Sequence, residues 1–274
     1  MRIASVQTHD GPKLVADVDG DYRRLDFDSD LLSLVQAGVD PRSLAVGDAV
    51  AGELVAPLRP GKIVAIGLNY LDHIRESKLS QPEQPLVFAK FPSSITGPND
   101  PIVVDVELTT QVDWEVELAV IVGRPMRNVA AGAALDYVFG YTVGNDVSAR
   151  DIQFSESQWT RGKSFDTFCP LGPVVVTPDE IPDPQVLALS TRVNGELMQD
   201  SSTAEMLFGV AELLAFCSRN FTLEPGDLLL TGTPWGCGYF MDPPRTLEIG
   251  DVVECEVERI GVLRNAVAVA AGSR

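Results

Sequence analysis

Apolar and polar residues alternate along much of the chain, a pattern typical of β-strands. Residues 2–27 alternate around Asp10-Gly11 and Asp19-Gly20, two dipeptides that favour tight hairpin turns. Because strands outnumber helices and do not alternate regularly with them, the pattern predicts a mainly β fold with a few helices, of the α+β class. Further strands are predicted at 62–67, 102–106, 112–122, 137–143, 172–177, 186–193, 227–231 and 251–258, and the last of these is expected to finish the chain.

Three segments have helical signals. The polar triplet 28–30 is expected to cap a helix that ends near Gly38, a short helix is predicted at 71–79, and a longer helix with one apolar stripe is predicted at 203–219. The segment 47–60 contains two prolines and leads into Pro60-Gly61. We therefore predict a boundary there, between a small N-terminal domain, 1–60, and a larger domain, 61–274.

Two carboxylates stand two residues apart within the otherwise apolar strand 112–122. Alternate residues of a strand point to the same face, so Glu115 and Glu117 are expected to project together. Burying two adjacent carboxylates is costly unless a cation neutralises them, and a hard divalent metal is the simplest such cation. An edge strand whose glutamates face water is the alternative, although Trp114 and the apolar residues after Glu117 favour burial on both faces.

A third acidic residue, Asp146, lies where an apolar strand ends and small polar residues begin. Taken alone, an aspartate at this place is typical of a turn or a cap. Together with Glu115 and Glu117 it would offer three oxygen ligands to Mg²⁺ or Mn²⁺, ions that usually complete their six-fold coordination with water.

His73 lies three residues before Glu76 in the predicted helix 71–79. Residues at this spacing are neighbours on a helix. A carboxylate beside an imidazole raises its basicity, which suits a general base that activates water. The alternative is an ordinary ion pair on the surface.

The chain is acidic, with 39 Asp and Glu against 21 Lys and Arg and a formal net charge of −18. This charge argues against a nucleic-acid partner, which needs a basic face. No window approaches the length of a transmembrane helix and the start lacks a signal-peptide core, so we expect a soluble, cytoplasmic protein without a membrane partner. The four cysteines are widely spaced and are expected to be reduced, rather than to form a zinc site or disulfides.

Several longer motifs occur in a fixed order. They are Gly67-Leu68-Asn69-Tyr70 with His73 and Glu76, Glu115-Val116-Glu117-Leu118, NDVSARDIQ at 145–153, RGKSFD at 161–166, Pro225-Gly226-Asp227, Thr231-Gly232-Thr233-Pro234 and GVLRN at 261–265. Together these motifs resemble the fumarylacetoacetate hydrolase family over 62–265. The chain looks most similar to its smaller branch, which contains acylpyruvate hydrolases, oxaloacetate decarboxylases and 2-hydroxyhepta-2,4-diene-1,7-dioate isomerases.

The resemblance implies a mixed β-sandwich or β-roll catalytic core with a small N-terminal β domain, usually in a homodimer. It implies Mg²⁺ or Mn²⁺ bound to Glu115, Glu117 and Asp146. It also implies that the helix carrying His73 and Glu76 is a lid that orders over the substrate.

The resemblance further assigns residues to the substrate. Lys163 matches the lysine that contacts the substrate's developing negative charge. Gln153 matches a polar residue near the site, and Thr233 a residue that binds the substrate's carboxylate or carbonyl. Arg150 is a further substrate-binding candidate, with a structural salt bridge between Arg150 and Asp151 as the alternative.

The reaction implied is hydrolysis of a C–C bond in an acylpyruvate or related 2,4-diketo acid, a small anionic keto acid, through a metal-stabilised enolate. Water deprotonated by His73, with Glu76 behind it, would attack the distal carbonyl, and Lys163 would stabilise the oxyanion. The same residues would serve oxaloacetate decarboxylation or tautomerisation, or 2-hydroxyhepta-2,4-diene-1,7-dioate isomerisation, so selectivity is expected to lie in the loops 76–86 and 235–245. A metal-stabilised binding protein without catalysis is the outside alternative.

Overall fold

Strands predominate over helices in the computed structural model, which describes residues 1–271. The strands are β1 (Arg2–Thr8), β2 (Gly11–Val18), β3 (Asp21–Leu25), β4 (Val46–Ala49), β5 (Glu53–Val55), β6 (Ile63–Gly67), β7 (Leu86–Lys90), β8 (Ile95–Thr96), β9 (Ile102–Val104), β10 (Val112–Asp113), β11 (Val116–Val122), β12 (Val138–Asn145), β13 (Ser148–Ala149), β14 (Cys169–Val176), β15 (Ala188–Val193), β16 (Glu196–Ser202), β17 (Leu228–Leu230), β18 (Val252–Val257) and β19 (Gly261–Val269). The α-helices are α1 (Leu31–Gln36), α2 (Leu71–Ser77), α3 (Ala131–Ala134), α4 (Arg150–Ser155), α5 (Thr160–Lys163) and α6 (Val210–Asn220). This content confirms the predicted mainly β, α+β class.

The N-terminal elements follow the predicted pattern. β1 and β2 form a hairpin, and β2 and β3 form a second hairpin around Asp19-Gly20, where both residues have the positive φ that a tight hairpin turn requires. The carboxylate of Asp30 accepts a hydrogen bond from the Ser33 N–H at 2.8 Å and so caps the start of α1.

One large sheet joins the N-terminal strands to the centre of the molecule. Its main order is β4-β3-β2-β1-β14-β12-β11-β17-β6-β7, with β5 paired to β1 and β8 paired to β14. β1 pairs antiparallel with β14 at Arg2↔Val176 and Ile3↔Val175, so the strands of 1–60 continue the central sheet. The division into domains 1–60 and 61–274 stays a prediction.

A second sheet, in the order β16-β15-β18-β19-β9, shares a core with one face of the large sheet. Leu118 and Val120 of β11 are buried in this core, together with residues of α6. Ala119 and Ile121 are buried on the opposite face, against residues of α1. The strand that carries Glu117 is therefore buried on both faces, as its apolar run predicted, and the two packed sheets form the β-sandwich core.

The helix predicted at 203–219 is wrong at its start, because α6 begins only at Val210. The N–H groups of Leu207 and Phe208 donate to the carbonyl and side-chain oxygens of Asn69 at 2.7 and 3.0 Å. The backbone before α6 is thus bonded to the segment that precedes α2, and it cannot also form helical hydrogen bonds.

Two strand predictions also differ from the structure. The predicted strand 112–122 is interrupted, since β10 ends at Asp113 and β11 begins at Val116. The expectation that 251–258 is the last strand is wrong, because β19 follows it and pairs with both β18 and β9.

Candidate active site

Two neighbouring strands bring the three predicted carboxylates together. Glu117 in β11 pairs with Gly144 in β12, and Asp146 lies just beyond the end of β12. The Asp146 N–H donates to the Glu115 carbonyl at 2.9 Å, which holds these two residues side by side. One ligand oxygen from each of the three side chains lies within 4.8 Å of the others, and all three side chains are buried. Their role as metal ligands stays a prediction.

Lys163 and Arg150 contact these carboxylates directly. Lys163 Nζ lies 2.7 Å from Glu115 Oε2 and 2.9 Å from Asp146 Oδ2. Arg150 Nη2 lies 2.7 Å from Glu115 Oε1. For Lys163, burial acts to lower the pKa, but the charges of Asp146 and Glu115 outweigh it and raise the pKa, so the lysine stays cationic.

Glu115 and Glu117 are in opposite electrostatic states. Burial acts to raise the pKa of Glu115, but the charges of Lys163 and Arg150 outweigh it and lower the pKa to about 2. For Glu117, burial and then the charges of Asp146 and Glu115 raise the pKa well above its ordinary value. Glu115 is therefore an anion at neutral pH, whereas Glu117 favours the protonated form until a cation comes near it.

The donor set of this cluster fits a hard divalent cation. Across residues 1–271, no Lys, Arg or His forms an ion pair with Glu117, and Glu117 Oε2 accepts a single hydrogen bond, from the Gly232 N–H at 2.7 Å. Three convergent carboxylates are ligands that Mg²⁺ and Mn²⁺ prefer. A divalent ion held by Glu115, Glu117 and Asp146 would supply the counter-charge that Glu117 lacks.

His73 and Glu76 lie on α2 in the predicted arrangement. His73 Nδ1 lies 3.1 Å from Glu76 Oε2, and His73 is only 5% exposed, which rules out the alternative of a surface pair. A carboxylate partner assigns the proton to Nδ1, so Nε2 is the basic nitrogen. Glu76 Oε1 also accepts a hydrogen bond from the Gly236 N–H at 3.0 Å, which ties the pair to the loop 235–240.

A small cavity brings six of the nine predicted site residues together, whereas Glu76, Glu117 and Asp146 are not part of its lining. It is lined by His73, Glu115, Arg150, Gln153, Lys163 and Thr233, with apolar and aromatic side chains from Ile66, Leu68, Leu79, Phe88, Phe154, Trp159 and Phe240. The cavity volume is about 30 Å³, which holds only a few water molecules. The predicted base, cations and substrate-binding residues therefore face one confined space.

An aromatic cluster forms part of the cavity wall. The Phe154 and Tyr239 rings lie 4.9 Å apart, and the Tyr239 and Phe240 rings 5.3 Å apart. Phe240 meets His73 edge-on at 5.2 Å, and the Arg150 guanidinium lies 5.7 Å from its ring centre. The loop 235–245, expected to carry selectivity, thus supplies an apolar lining beside the base.

Arg150 pairs with Asp113 and Glu115, and the alternative pair with Asp151 does not form. Arg150 Nε lies 2.8 Å from Asp113 Oδ2, and Arg150 Nη1 donates to Gln153 Oε1 at 2.9 Å. Because Gln153 uses its oxygen on Arg150, its amide N–H groups are the part available to a substrate.

Thr233 lines the cavity, but its hydroxyl group is engaged within the protein. The hydroxyl donates to the Val116 carbonyl at 2.9 Å and accepts from Gln199 Nε2 at 2.9 Å. The substrate contact predicted for Thr233 stays a prediction, and in this arrangement the hydroxyl proton is not free to make it.

Two buried charged residues beside the cluster were not predicted. Asp113 accepts hydrogen bonds from the N–H groups of Gly238 and Tyr239 at 2.8 and 3.1 Å, so it ties the loop 235–240 to β10. Lys90 Nζ lies 2.6 Å from Asp146 Oδ1. Each had a sequence signal, because Lys90 is an isolated charge at the end of an apolar stretch and Asp113 stands two residues before Glu115, at the spacing that separates Glu115 from Glu117.

The fold and the site together define an enzyme class, in which a β-sandwich holds a carboxylate cluster suited to a divalent ion beside a histidine–glutamate pair. Residues 62–268 match the family described as Fumarylacetoacetate (FAA) hydrolase C-terminal, and the chain belongs to this family.

Similar proteins carry several activities in their names. Oxaloacetate tautomerase fahd2, mitochondrial, of Xenopus laevis is 50% identical over 217 residues, which cover 78% of this chain and 68% of that protein. The structure of fumarylacetoacetate hydrolase from psychrophilic Exiguobacterium antarcticum has 40% identity and a TM-score of 0.89, with 98% of this chain and 100% of that one covered. The structure of 2-hydroxyhepta-2,4-diene-1,7-dioate isomerase from Mycobacterium marinum has 36% identity and a TM-score of 0.82, with 99% of each chain covered.

The cytoplasmic location expected from the sequence is contradicted by these relatives, since the tautomerases of Xenopus laevis and Homo sapiens are both named mitochondrial. The expectation tested only for a secretory signal core, which does not report on other compartments. Within residues 1–271, no helix is both long and apolar enough to cross a membrane. The four cysteines are buried free thiols.

Proposed function

We propose that this chain is a divalent-metal-dependent enzyme that interconverts the enol and keto forms of a small 2-oxo dicarboxylic acid of the oxaloacetate type. The observation that carries the proposal is that His73, hydrogen-bonded to Glu76, lines the same cavity as Glu115 and Lys163. The name of the relative that is 50% identical supports tautomerisation.

The cation would be held by Glu115, Glu117 and Asp146. A bound Mg²⁺ or Mn²⁺ would act as a Lewis acid that stabilises negative charge on the substrate's enolate oxygen. The protein's part in this is to keep the three carboxylates convergent and shielded from water.

His73 would move the proton. In ketonisation, the enol loses its O–H proton and a carbon next to the carbonyl gains one, and the reverse reaction removes a C–H proton. The basic Nε2 takes up such a proton, and the Glu76 carboxylate at Nδ1 stabilises the imidazolium that results. Glu76 therefore orients His73 and supports its charge, while the aromatic cluster of Phe154, Tyr239 and Phe240 limits the access of water.

The carboxylates of the substrate would be bound by the cations and amides that line the cavity. Lys163 and Arg150 are both buried there, and a divalent ion would take over their role as counter-charges of Glu115. Each would then have donors to offer to an anionic substrate. The amide of Gln153 is a neutral donor in the same wall.

Hydrolysis of an acylpyruvate is the second candidate. It is favoured by the likeness to a structure named fumarylacetoacetate hydrolase, with a TM-score of 0.89, and by the same basic nitrogen, which would deprotonate water instead of carbon. Decarboxylation of oxaloacetate would need neither water nor proton abstraction by His73.

An NMR time course with Mg²⁺-loaded protein separates these reactions. Oxaloacetate and acetylpyruvate are offered separately, with the ion alone as the control for uncatalysed exchange. Accelerated enol–keto exchange in the first sample, without pyruvate, is the expected result. Acetate and pyruvate from acetylpyruvate would favour the hydrolase instead, and CO₂ release from oxaloacetate without faster exchange would favour the decarboxylase.

A further inference from the structure

Lys90 ends strand β7 in the interior of the protein. The residue is 1% exposed. Its Nζ lies 2.6 Å from Asp146 Oδ1 and 3.3 Å from the carbonyl oxygen of Val147, and it also donates to the carbonyl oxygen of Lys163. An ammonium group has three N–H donors, so these three acceptors engage all of them. Lys90 therefore has no donor left for a substrate.

Lys163 contacts the same aspartate in a different way. Its Nζ bridges Asp146 Oδ2 and Glu115 Oε2 at 2.9 and 2.7 Å, and its side chain lines the cavity. The two lysines thus divide the two oxygens of Asp146 between them. Lys90, which is not part of the cavity lining, holds Oδ1. Oδ2 and a Glu115 oxygen both contact the ammonium group of Lys163.

We propose that Lys90 is a positioning residue for the predicted metal ligand Asp146, an inference that rests on the proposed metal-dependent function. By holding Oδ1, Lys90 fixes the rotation of the carboxylate and directs Oδ2 towards Glu115. By holding the carbonyl oxygen of Lys163, it also fixes the end of α5, from which the Lys163 side chain extends to the cavity. Loss of a partner that orients a metal ligand typically lowers metal affinity about 10- to 100-fold.

Two effects of Lys90 on a bound divalent ion have opposite signs. Its positive charge repels the ion, so removing the charge by itself would tighten binding. Its hydrogen bonds preorganise Asp146, so removing them weakens binding. The positioning role predicts that the second effect is the larger, because a carboxylate that is free to rotate loses its convergence with Glu115.

The experiment is a calorimetric titration of Mn²⁺ into the full chain. The variant Lys90→Met keeps the length and apolar stem of the side chain but removes the ammonium. Lys62→Met is the matched control, because Lys62 forms an ion pair with Asp227 that is not part of the carboxylate cluster. We expect Lys90→Met to bind Mn²⁺ about 10- to 100-fold more weakly and Lys62→Met to keep the wild-type affinity. Unchanged or tighter binding by Lys90→Met would overturn the positioning role.

A second variant keeps the test decisive if Lys90→Met does not fold. Lys90→Arg retains the charge, but its planar fork cannot reproduce the three contacts of an ammonium. Weaker Mn²⁺ binding is expected, and wild-type affinity in a folded Lys90→Arg protein would contradict the proposal.

A Mn²⁺ titration of Glu115→Ala distinguishes a failure of the proposed metal site from a failure of the positioning role of Lys90. Undiminished Mn²⁺ binding by Glu115→Ala would show that the carboxylate cluster is not the metal site, and the proposed function would fail with it. Loss of binding in Glu115→Ala beside wild-type affinity in Lys90→Met would overturn the role of Lys90 alone.

Discussion

Glu117 differs from its two partners in the carboxylate cluster. Glu115 and Asp146 are paired with buried lysine or arginine side chains, whereas no such partner lies within ion-pair distance of Glu117 in residues 1–271. A buried carboxylate without a counter-charge destabilises the fold when it ionises. If Glu117 is a metal ligand, as proposed, its substitution should affect stability and metal binding in opposite directions.

Glu117→Gln should stabilise the ion-free protein and weaken Mn²⁺ binding. The amide keeps an oxygen for the Gly232 N–H and requires neither ionisation nor proton uptake by a buried carboxyl group, so the free energy of unfolding at neutral pH should rise by about 1–3 kcal/mol. Urea unfolding and a Mn²⁺ titration measure the two effects. The exposed Glu248→Gln serves as the control, and a destabilised Glu117→Gln with wild-type affinity would contradict the metal site.

The raised pKa of Glu117 also predicts how Mn²⁺ stabilises the protein at different pH values. A carboxyl group whose pKa is raised on folding favours the folded state below its ordinary pKa of 4.5, and that contribution is lost as the pH rises through the folded-state pKa. A divalent ion relieves this loss, because it replaces the proton on Glu117. The rise in melting temperature on adding Mn²⁺ should therefore be larger near neutral pH than near pH 5. An equal rise at both values would argue against displacement of a proton.

Part of this site could be predicted residue by residue. The convergence of Glu115 and Glu117 was predicted from strand periodicity, which places residues two apart on one face, although Glu115 lies in the break between β10 and β11. Lys90 and Asp113 could not be placed in the same way, because their partners lie 56 and 37 residues away in sequence and meet them only through the sheet.

The helix α2 and the loop 235–240 form one connected unit at the cavity. Glu76 accepts from the Gly236 N–H at 3.0 Å, and Asp72 accepts from the Trp235 N–H at 3.4 Å and from the Ser201 hydroxyl at 2.5 Å. The position of the predicted base thus depends on the conformation of the loop. The lid role of α2, implied by the family resemblance, stays a prediction.

Gly236→Ala should disrupt this unit. Gly236 has a φ of +93°, and an added Cβ would lie 2.1 Å from the Met198 carbonyl oxygen. Gly250→Ala is a matched control, since Gly250 has a φ of +95° but no heavy atom within 4 Å of an added Cβ. The control should lower the free energy of unfolding by only about 1–2 kcal/mol, because of its left-handed backbone. Gly236→Ala should lower it by more and should also lower kcat. If Gly236→Ala and Gly250→Ala changed the free energy of unfolding and kcat equally, the loop would not hold α2 in place.

Elements with strong local signals were predicted best. The short helix at 71–79 matches α2, and the capped helix after Asp30 matches α1. The start of the helix at 203–219 was wrong because Asn69, distant in sequence, binds that backbone. Edge strands such as β7 and β16 were missed, since a strand with one neighbour can expose apolar residues and so obscures the alternation.

At the scale of the molecule, the continuous sheet predicts cooperative unfolding. β1 carries the N-terminal strands into the central sheet through its pairing with β14, and β14 in turn pairs with β12 beside the carboxylate cluster. We expect a single unfolding transition in urea, with the same midpoint by circular dichroism and by tryptophan fluorescence. Two separate transitions would indicate that 1–60 is an independent domain. The homodimer implied by the family resemblance stays a prediction, which sedimentation equilibrium would test.

The fold class followed from the sequence because it depends on the balance of strands and helices, whereas the catalysed reaction did not. The metal-ligand candidates, His73 and Lys163 suit hydrolysis, decarboxylation and tautomerisation alike. Selectivity among these reactions is expected to lie in the cavity wall, to which Phe240 of the loop 235–245 contributes through tertiary contacts.

In the proposed mechanism, His73 transfers a proton on a small 2-oxo acid beside a divalent ion. The most direct test is the rate of oxaloacetate enol–keto conversion, at saturating Mn²⁺, for the wild type and for His73→Gln. We expect a decrease of about 10²- to 10⁴-fold in the variant, with Mn²⁺ affinity unchanged because His73 is not one of the proposed ligands. A His73→Gln rate close to that of the wild type would contradict it.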